Sequence, residues 1–296
     1  MSAVPFDDRD GVIWLDGRLV EWRSATLHVL SHGLHYASSV FEGERVYDGE
    51  VFALSAHSRR LVASARELGF TLPWTAGELD AATREVVAAS GITDGYVRPI
   101  AWRGTESIEI AGTGTTVHVA VAAWEWPDVF DPGARERGIR LGTSRWRRPA
   151  PDTAPVHAKA AGVYALGTMA RHEVDARGFD DALMLDHAGR VAEATGANVF
   201  LVRDGELHTP IADCFLPGIT RATVLGLARE RGMTVHERRI LPGELADADE
   251  VFLTGTAYEV QPVRAVDGYE FAVGPVTRTL MADYAAATRP AAVVRP

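Results

Sequence analysis

Cysteine is almost absent from this sequence, and so are the segments that carry a chain to or across a membrane. The single cysteine, Cys214, cannot form a disulfide within the chain, and we expect it to be a small buried side chain. No apolar run approaches the roughly 20 residues that span a bilayer. The first ten residues, MSAVPFDDRD, lack the basic and apolar regions of a signal peptide. We therefore expect a protein of the reducing cytoplasm.

Positive charge is also in short supply, since the formal net charge is -10 at pH 7. An acidic chain has no general affinity for nucleic acid or for anionic membranes. The run SRWRRPAP, residues 144–151, interleaves arginine with tryptophan but is short, and we interpret it as a solvated surface between domains or subunits. The ten histidines show no ligand spacing such as HExxH, which predicts no metal site. The expected partners are small molecules, with no nucleic acid and no membrane.

A chain of 296 residues is long for a single hydrophobic core, and 47% hydrophobic residues is typical of a folded globular protein. The stretch WEWPDVFDPGARERG, residues 124–138, holds two prolines and two glycines without a sustained period, which indicates a boundary. We predict an α/β (α+β) protein of two domains. A smaller N-terminal α+β domain would cover residues 1–125, a linker 126–138, and a larger C-terminal mixed α/β domain 139–296.

Local patterns predict the individual elements. Asp-Gly dipeptides within VIWLDGRLVEW and ERVYDGEVFAL predict hairpins, and GYVRPIAW and TVHVAVAAW read as strands. Thr75 followed by Glu78 has the spacing of a capping box at a helix start. Helical patterns cover residues 56–69, the segment after Thr75, and then 162–177, 220–231 and 276–287.

One lysine, Lys159, has mainly small or apolar residues as its near neighbours in the sequence. The segment APVHAKAAGVY, residues 154–164, places Lys159 among alanines, a valine and a glycine, which leaves space beside its amine for something other than protein. Apolar surroundings disfavour an ammonium ion, and a neutral amine is a nucleophile that can form a Schiff base. Taken alone, these residues fit a surface lysine ahead of a helix better, since lysine is rarely buried.

A second segment has the features of an anion site. In LPGITRATVLGLARERG, residues 216–232, a turn at Pro217 and Gly218 leads into a helix whose first N–H groups have no intrahelical partner. Such free donors and the positive end of the helix dipole bind anions, phosphate above all. An ordinary capped helix start explains the same residues equally well. The strand EVFLT ends in a second turn of small residues, 254–257, that can also present donors.

The third segment, VAEATGANVFLV, places Glu193 on an otherwise apolar strand. Alone it fits a carboxylate that faces solvent. Near a pyridine ring, however, a buried glutamate would keep the ring nitrogen protonated. A lysine Schiff base, a phosphate cup and a pyridinium partner are three separate requirements of one cofactor, pyridoxal 5'-phosphate, and their joint presence is more specific than any one of them.

These motifs, taken together, resemble one family. The order AKAAGVY, VAEATGANVF, LPGITR and LTGTAYEV, with SHGLHYASSVFEGERVY and YVRP near the start, resembles the class IV (fold type IV) aminotransferases, and most of all the branched-chain amino acid aminotransferases. The likeness runs from about Val12 to the last helix. It implies a homodimer with shared active sites and a C-terminal cofactor-binding domain. It also implies ping-pong transamination between an amino acid, here a branched-chain L-amino acid, and 2-oxoglutarate.

The resemblance implies roles for single residues at the cofactor. Lys159 would form the Schiff base and move the proton, Glu193 would pair with the pyridine nitrogen, and Tyr164 would hydrogen-bond the phenolic oxygen. The family's HxxRL pattern falls on Arg60 rather than on Arg59. The implied phosphate ligands are Arg60, Ile219, Thr220 and Thr256, and Leu216 and Gly218 complete the implied cofactor-binding set.

The substrate side follows in the same way. Tyr36 matches a position contributed across the dimer, and the turn at Gly255, Thr256 and Ala257 matches the one that receives the substrate α-carboxylate. The other positions that match the family's substrate pocket are Phe41, Gly43, Arg45, Tyr96, Arg98 and Trp126. Arg98 is the most informative of them, because a guanidinium binds a carboxylate bidentately and could accept the distal carboxylate of glutamate. The alternative is an arginine in a structural ion pair.

The sequence departs from the family's pattern in the stretch RGTESIEIAGTGTT, where a glycine-rich loop with hydrophobic tips is usual. An arginine there, such as Arg103, could bind an α-carboxylate in the opposite orientation, as a D-amino acid or (R)-amine transaminase of this fold would require. Aminodeoxychorismate lyase, with the same cofactor and lysine, is another alternative. A non-catalytic protein that only binds the cofactor would leave Lys159 and Glu193 without a task.

Overall fold

The computed structural model describes residues 4–126 and 133–289. They form two compact units: unit 1 is Met1–Pro127 with Ala158–Gly162, and unit 2 is Asp128–His157 with Val163–Pro296. The sequence division placed 158–162 in the C-terminal half, whereas contacts group them with unit 1. Residues 127–132 of the predicted linker lie outside the described residues, and the domain boundaries stay a prediction.

Unit 1 is built around an antiparallel sheet of seven strands in the order β2-β1-β7-β6-β4-β5, with β3 also paired to β6. The strands are β1 Val12–Leu15, β2 Arg18–Glu21, β3 Ser39–Phe41, β4 Glu44–Tyr47, β5 Glu50–Val51, β6 Gly95–Arg103 and β7 Val117–Glu125. The helices described in this unit are α1 His32–Tyr36, α2 Leu54–Glu67 and α3 Ala76–Ser90.

The local signals of the sequence account for these elements. Asp16 and Asp48 adopt φ angles of 47° and 52° in the two predicted Asp-Gly turns, as the tight turns between twisted strands require. Thr75 caps α3 with Glu78 in the predicted capping box. Alternate residues of β6 point to opposite faces, so Val97 and Ala101 enter the core against α2 and α3. The opposite face of β6 carries Tyr96 and Arg98.

Unit 2 contains a second, mixed sheet. Its strands are β8 Ile139–Thr143, β9 Asp181–Leu185, β10 Val191–Ala194, β11 Asn198–Arg203, β12 Glu206–Pro210, β13 Val235–Arg238, β14 Glu250–Gly255, β15 Glu259–Val266 and β16 Tyr269–Glu270. The remaining helices are α4 Ala134–Arg137, α5 Ala161–Asp175, α6 Ile219–Glu230 and α7 Pro275–Thr288. The predicted helices at 162–177, 220–231 and 276–287 are confirmed, with ends that differ by one or two residues.

The sheet of unit 2 closes on itself. Its order runs β10-β9-β8-β15-β14-β11, and β10 also pairs with β11, which joins six strands in a ring. The pairing that closes the ring is Glu193 with Asn198. A closed sheet has no free edge at that point, so side chains there are held firmly. The sequence had marked Glu193 for its chemistry, and the fold places it at the closure.

The fold also bears on the single cysteine and on membrane-spanning segments. Cys214 is buried, as predicted, and burial raises the pKa of its thiol to about 12, which leaves it protonated and unreactive. In the parts of the chain that the structure describes, no helix combines the length and the apolar composition that crossing a membrane requires.

Candidate active site

The predicted site residues divide between the two units. Unit 1 holds the following: Tyr36, Phe41, Gly43, Arg45, Arg60, Tyr96, Arg98, Trp126 and Lys159. Unit 2 holds the rest: Tyr164, Glu193, Leu216, Gly218, Ile219, Thr220, Gly255, Thr256 and Ala257.

The backbone of Lys159 is fixed on both sides. Its N–H donates to Ser64 Oγ on α2 at 2.9 Å, and its carbonyl accepts from the N–H of Phe41 at the end of β3, at 3.1 Å. Its neighbour Ala160 forms a β-bridge with Val40. Both flanking alanines are buried, so the backbone is held here and the fold sets the direction in which the Lys159 side chain leaves it.

Phe41 connects Lys159 with the substrate side of unit 1. The Lys159 Nζ lies 5.1 Å from the centre of the Phe41 ring, and the Arg98 guanidinium carbon lies 4.9 Å from the same centre. Both distances are in the range of cation–π contacts. An amine and a guanidinium are thus held beside one aromatic ring. This arrangement suits a small molecule that reacts at one end and carries a negative charge at the other.

Arg98 is surrounded by aromatic groups rather than by acids. Its Nη2 donates to the Tyr96 hydroxyl at 3.4 Å, and the Tyr96 ring stacks on Trp126 with centroids 4.3 Å apart. Among the residues that the structure describes, Arg98 forms no ion pair and its buried Nε has no hydrogen-bond partner. This argues against the alternative of a structural ion pair. Gly43 makes the arrangement possible, because a β-carbon there would overlap the Tyr96 hydroxyl.

A cavity of about 330 Å³ opens on this face of the sheet. Besides Arg98 it is lined mainly by apolar side chains of β1, β6 and β7, among them Ile13, Leu15, Ile100, Trp102 and Ala122. A charged group in an otherwise apolar pocket can accept both an aliphatic side chain and a carboxylate.

Two predicted substrate residues have other contacts. Arg45 donates through Nη2 to Asp94 at 2.8 Å and is buried. Tyr36, at the end of α1, is half exposed, and its hydroxyl donates to the carbonyl of Ile108 at 3.1 Å. Tyr36 therefore supports the loop 104–116 within its own chain.

Arg60 is held by a carboxylate that the sequence had not indicated. Its Nε and Nη2 donate to the two oxygens of Glu42 at 2.7 and 2.8 Å. The side chain of Arg60 is 16% exposed, whereas that of Glu42 is fully buried.

In unit 2, Glu193 is buried between two partners. Asn198 Nδ2 donates to its Oε2 at 3.1 Å, and Arg148 Nε lies 3.1 Å from its Oε1. Arg148 belongs to the run that we interpreted as a solvated surface, and for this residue that interpretation was wrong, because Arg148 is only 5% exposed. Its charge is balanced by the buried carboxylate, which explains how an arginine can lie inside. The flanking Arg145 is exposed, as expected.

Asn198 also fixes the predicted phosphate turn. Its Oδ1 accepts from the N–H of Gly218 at 3.1 Å, and its Nδ2 donates to the carbonyl of Leu216 at 3.2 Å. A β-carbon at Gly218 would overlap the Asn198 oxygen, so only glycine fits. Gly218 caps α6 without a side chain, and Ile219 and Thr220 begin the helix with N–H groups directed at whatever lies beyond it. The residues present therefore fit a phosphate.

The turn after β14 is tied to the turn after β10 by a buried acid. Asp181 accepts from Thr195 Oγ1 at 2.6 Å and from the Tyr258 hydroxyl at 2.8 Å. Burial raises the pKa of Asp181, and burial also raises the pKa of Tyr258. A β-carbon on Gly255 would lie 3.1 Å from the carbonyl oxygen of Gly196, so the two turns are in close contact. Thr256 and Ala257 occupy the tip of this turn, half-buried.

The comparisons with known proteins agree with this geometry. The family model for class IV amino-transferases matches residues 39–266. The chain belongs to the class IV aminotransferases. It is 43% identical to the branched-chain-amino-acid aminotransferase of Pseudomonas aeruginosa over 284 residues, covering 94% of this chain and 92% of the relative.

Solved structures of this family show the same fold. The branched-chain aminotransferase of Thermoproteus uzoniensis with norvaline matches with a TM-score of 0.90 and 39% identity, covering 94% of each chain. A second branched-chain amino acid aminotransferase, complexed with N-(5'-phosphopyridoxyl)-L-glutamate and from the organism abbreviated T.th., matches with a TM-score of 0.90 and 39% identity, covering 95% of this chain and 96% of the other. The predicted family and the two-domain fold type IV class are confirmed.

In this class IV aminotransferase, the Arg103 guanidinium is bonded within its own unit. Its Nη1 donates to the carbonyl of Gly112 at 2.8 Å and to Thr115 Oγ1 at 3.3 Å, and its Nη2 donates to the carbonyl of Gly69 at 2.8 Å. These bonds hold the loop 104–116 against the body of unit 1. These contacts argue against the opposite substrate orientation through Arg103, which stays an untested alternative.

One group of side chains has the geometry of metal ligands. Potential ligand atoms of Glu206, His208 and His236 lie within 4.8 Å of one another on β12 and β13. However, Arg238 Nε donates to His208 Nδ1 at 3.1 Å. A neutral imidazole that accepts at Nδ1 carries its proton on Nε2, so neither nitrogen is left for a metal. The absence of a metal site stays a prediction.

Tyr164 lies in the first turn of α5 and is half-buried. Its role, like those of the other site residues, stays a prediction. Sequence reasoning missed Glu42, Arg148 and Asn198, although each stands beside a recognised motif: Glu42 in VFEGERVY, Asn198 in ATGANVF and Arg148 ahead of Lys159.

Proposed function

We propose that this chain is a pyridoxal-phosphate-dependent aminotransferase that exchanges the amino group between a branched-chain L-amino acid and 2-oxoglutarate. The observation that carries the proposal is the pair of Lys159 and Arg98 on one aromatic ring. Arg98 also lines a mainly apolar cavity. Family membership supports the same conclusion, since the relatives are named branched-chain-amino-acid aminotransferases.

The chain's own residues supply binding and proton transfer. Lys159 Nζ would hold the cofactor and then take a proton from the substrate α-carbon and return it, as a general base and acid. The fixed backbone of Lys159 keeps this amine in position through both half-reactions. When bound, pyridoxal phosphate withdraws electrons from the α-carbon and carries the amino group between the two substrates.

Glu193 would keep a proton on the pyridine nitrogen of the cofactor. It is buried, and Asn198 and Arg148 fix its two oxygens in place. The N–H groups at the start of α6 and the Arg60 guanidinium would bind the phosphate. The N–H groups of the turn at 255–257 would receive the substrate α-carboxylate, held there by the contacts of Tyr258 and Asp181.

Arg98 would distinguish the two substrates of the exchange. The isopropyl end of leucine fits the apolar lining, whereas the distal carboxylate of 2-oxoglutarate finds the guanidinium. One of the two solved relatives carries a glutamate adduct, and the Thermoproteus uzoniensis relative carries norvaline, an aliphatic amino acid. These two ligands are of the two kinds that the pocket of this chain is suited to accept.

The decisive experiment follows the cofactor's visible absorbance in separate half-reactions with L-leucine, L-glutamate, D-alanine and (R)-phenylethylamine. We expect the band to be lost with the two L-amino acids only. Loss with the D-amino acid or the amine would contradict the proposed specificity. Absence of any cofactor band in the purified protein would contradict the proposed function as a whole.

We further propose a homodimer. Exposed apolar side chains of unit 1 lie on the segment 27–34 and on the loop 104–116: Leu27, Val29, Leu30, Leu34, Ile108 and Ile110. Such a concentration on a soluble chain is typical of an interface. Light scattering should give the mass of a dimer for the wild type. Leu34→Asp should shift it toward the monomer, and Leu241→Asp, a similarly exposed leucine of unit 2, should not.

A further inference from the structure

Glu42 is a fully buried carboxylate beside the predicted cofactor residues of unit 1, and the proposed mechanism leaves it without a task. Its side chain is 0% exposed. Its two oxygens accept three hydrogen bonds: from Arg60 Nε at 2.7 Å, from Arg60 Nη2 at 2.8 Å and from His57 Nδ1 at 2.7 Å. The pair with Arg60 is bidentate, which fixes the plane of the guanidinium as well as its position.

The backbone of Glu42 is equally well fixed. Its N–H donates to the carbonyl of Pro99 on β6 at 2.8 Å. The preceding residue, Phe41, binds the carbonyl of Lys159 through its own N–H, and the following residue, Gly43, contacts the Tyr96 hydroxyl. The three consecutive residues 41–43 thus connect the reactive lysine, the arginine of the predicted phosphate site and the substrate face.

Glu42 is ionised and faces the charged guanidinium of Arg60. Burial alone would raise the pKa of Glu42, but the nearby Arg60 charge and the hydrogen bonds from Arg60 and His57 lower it to about 2. Burial lowers the pKa of His57, so this imidazole is neutral at pH 7. One full negative charge therefore faces one full positive charge.

We propose that Glu42 is a positioning residue that holds the Arg60 guanidinium in a single orientation for the phosphate of the cofactor. The proposal rests on the proposed function, because it takes Arg60 as a phosphate ligand. Two effects oppose each other here. The carboxylate weakens the positive field that attracts phosphate, but it removes the rotamer freedom that an arginine otherwise loses on binding. A bidentate, buried pair favours the second effect, since Arg60 is already in place before the ligand arrives.

The test is to measure the equilibrium binding of pyridoxal 5'-phosphate and of pyridoxal, which lacks the phosphate, to apoprotein prepared from the full chain. The variant is Glu42→Gln, whose amide would turn an N–H donor toward Arg60. We expect the Kd for pyridoxal phosphate to rise by about 5- to 20-fold, the scale of losing a preorganised charged contact, while the Kd for pyridoxal changes less than about twofold. The inhibition constant of inorganic phosphate, measured against cofactor binding, should also rise in the variant.

Glu44→Gln is the matched control. Glu44 is also fully buried, two residues further along the chain, and among the described residues its carboxylate has no hydrogen-bond partner. Its substitution should leave the preference for the phosphorylated ligand unchanged. Glu42→Asp serves as a second variant if the first does not fold, because the shorter side chain keeps the charge but cannot reach both nitrogens of Arg60.

The outcomes distinguish the positioning role of Glu42 from the proposed function of the whole chain. Equal losses of pyridoxal phosphate and pyridoxal in Glu42→Gln would make Glu42 merely structural and overturn the proposal. Unchanged or tighter binding of pyridoxal phosphate would overturn it as well, because electrostatic repulsion would then dominate. A wild-type protein that binds neither ligand would instead refute the proposed function.

Discussion

At the scale of single residues, Lys159 is distinguished by more than its neighbours. It is the only lysine of the chain, since the other 29 of the 30 basic residues counted as Lys and Arg are arginines. Arginine is permanently charged and cannot form a Schiff base at neutral pH. Every function that needs a neutral amine therefore depends on this one side chain or on the chain's N-terminus.

We expect Lys159→Ala to lower transamination of leucine by at least about 10³-fold, because the proton-transferring group is removed. The cofactor should still bind, without a covalent link. Borohydride reduction of the wild type followed by peptide mass spectrometry should place the label on Lys159, and the variant should carry none there. Turnover close to that of the wild type would contradict the assignment.

Arg98→Leu should separate the two substrates. We expect kcat/KM for 2-oxoglutarate to fall by about 30- to 1,000-fold, equivalent to about 2–4 kcal/mol for a lost charge pair in a buried site, with a much smaller effect on leucine. Arg98→Lys should recover only part of the loss, since an ammonium lacks the planar fork. If leucine and 2-oxoglutarate lose equally in steady-state kinetics, Arg98 has a structural role.

The residues that sequence reasoning identified share one property: each carries its chemistry in a local pattern. Lys159 among alanines, Gly218 before a helix and Glu193 on an apolar strand are visible in a few letters of sequence. Glu42 and Arg148 are not, because their meaning comes from partners 18 and 45 residues away. Local composition even misled for Arg148, since an arginine among arginines gives no sign that one of them is buried.

At the scale of elements, the hairpins and helices follow from turn chemistry and periodicity, but the closed ring of unit 2 does not. Its closure rests on a single pairing, Glu193 with Asn198, between strands joined by the turn Thr195 to Ala197. A tight turn predicts that two strands meet, yet not that their meeting completes a ring of six. The ring also requires β14 to pair with β11 and β15 to pair with β8, and these strands are far apart in sequence.

The contact through Asp181 between the turn after β10 and the turn after β14 can be tested at this scale. Tyr258→Phe removes the hydroxyl that donates to Asp181, which leaves a buried carboxyl oxygen with one donor fewer. We expect a loss of stability of about 1–3 kcal/mol, measured by denaturant unfolding. We also expect a higher KM for leucine with little change in kcat, since the turn at 255–257 would be less well held. Tyr269→Phe, at an exposed position of β16, is the control and should change neither stability nor KM. If Tyr258→Phe also changes neither, the two turns are held without the hydrogen bond from Tyr258 to Asp181.

At the scale of the whole molecule, the stability of unit 1 should depend on pH through Glu44. This side chain is fully buried beside Glu42 and Asp80, and among the described residues neither of its oxygens has a hydrogen-bond partner. Burial, reinforced by the charges of Glu42 and Asp80, raises its pKa well above the ordinary value. The folded protein therefore holds a proton that the unfolded chain releases near pH 4.5.

The sign of the effect follows from this difference. Below about pH 4.5 Glu44 is protonated in both states and has no pH-dependent cost, and as the pH rises above that value the folded state becomes less stable by up to about 1.4 kcal/mol per pH unit, until the folded pKa is reached. Glu44→Gln cannot ionise and avoids this cost. We expect the variant and the wild type to unfold at similar denaturant concentrations at about pH 4.5, and the variant to unfold at the higher denaturant concentration at pH 7.

Glu42→Gln should show the opposite trend, because its ionised carboxylate stabilises the fold above the pH at which unfolded glutamate titrates and that stability is lost as the pH falls through about 2. Two identical substitutions at neighbouring buried positions should thus move the stability at pH 7 in opposite directions. Matching pH profiles for the two variants would mean that the two carboxyl groups share their protons, and that the buried charge belongs to the pair rather than to Glu42.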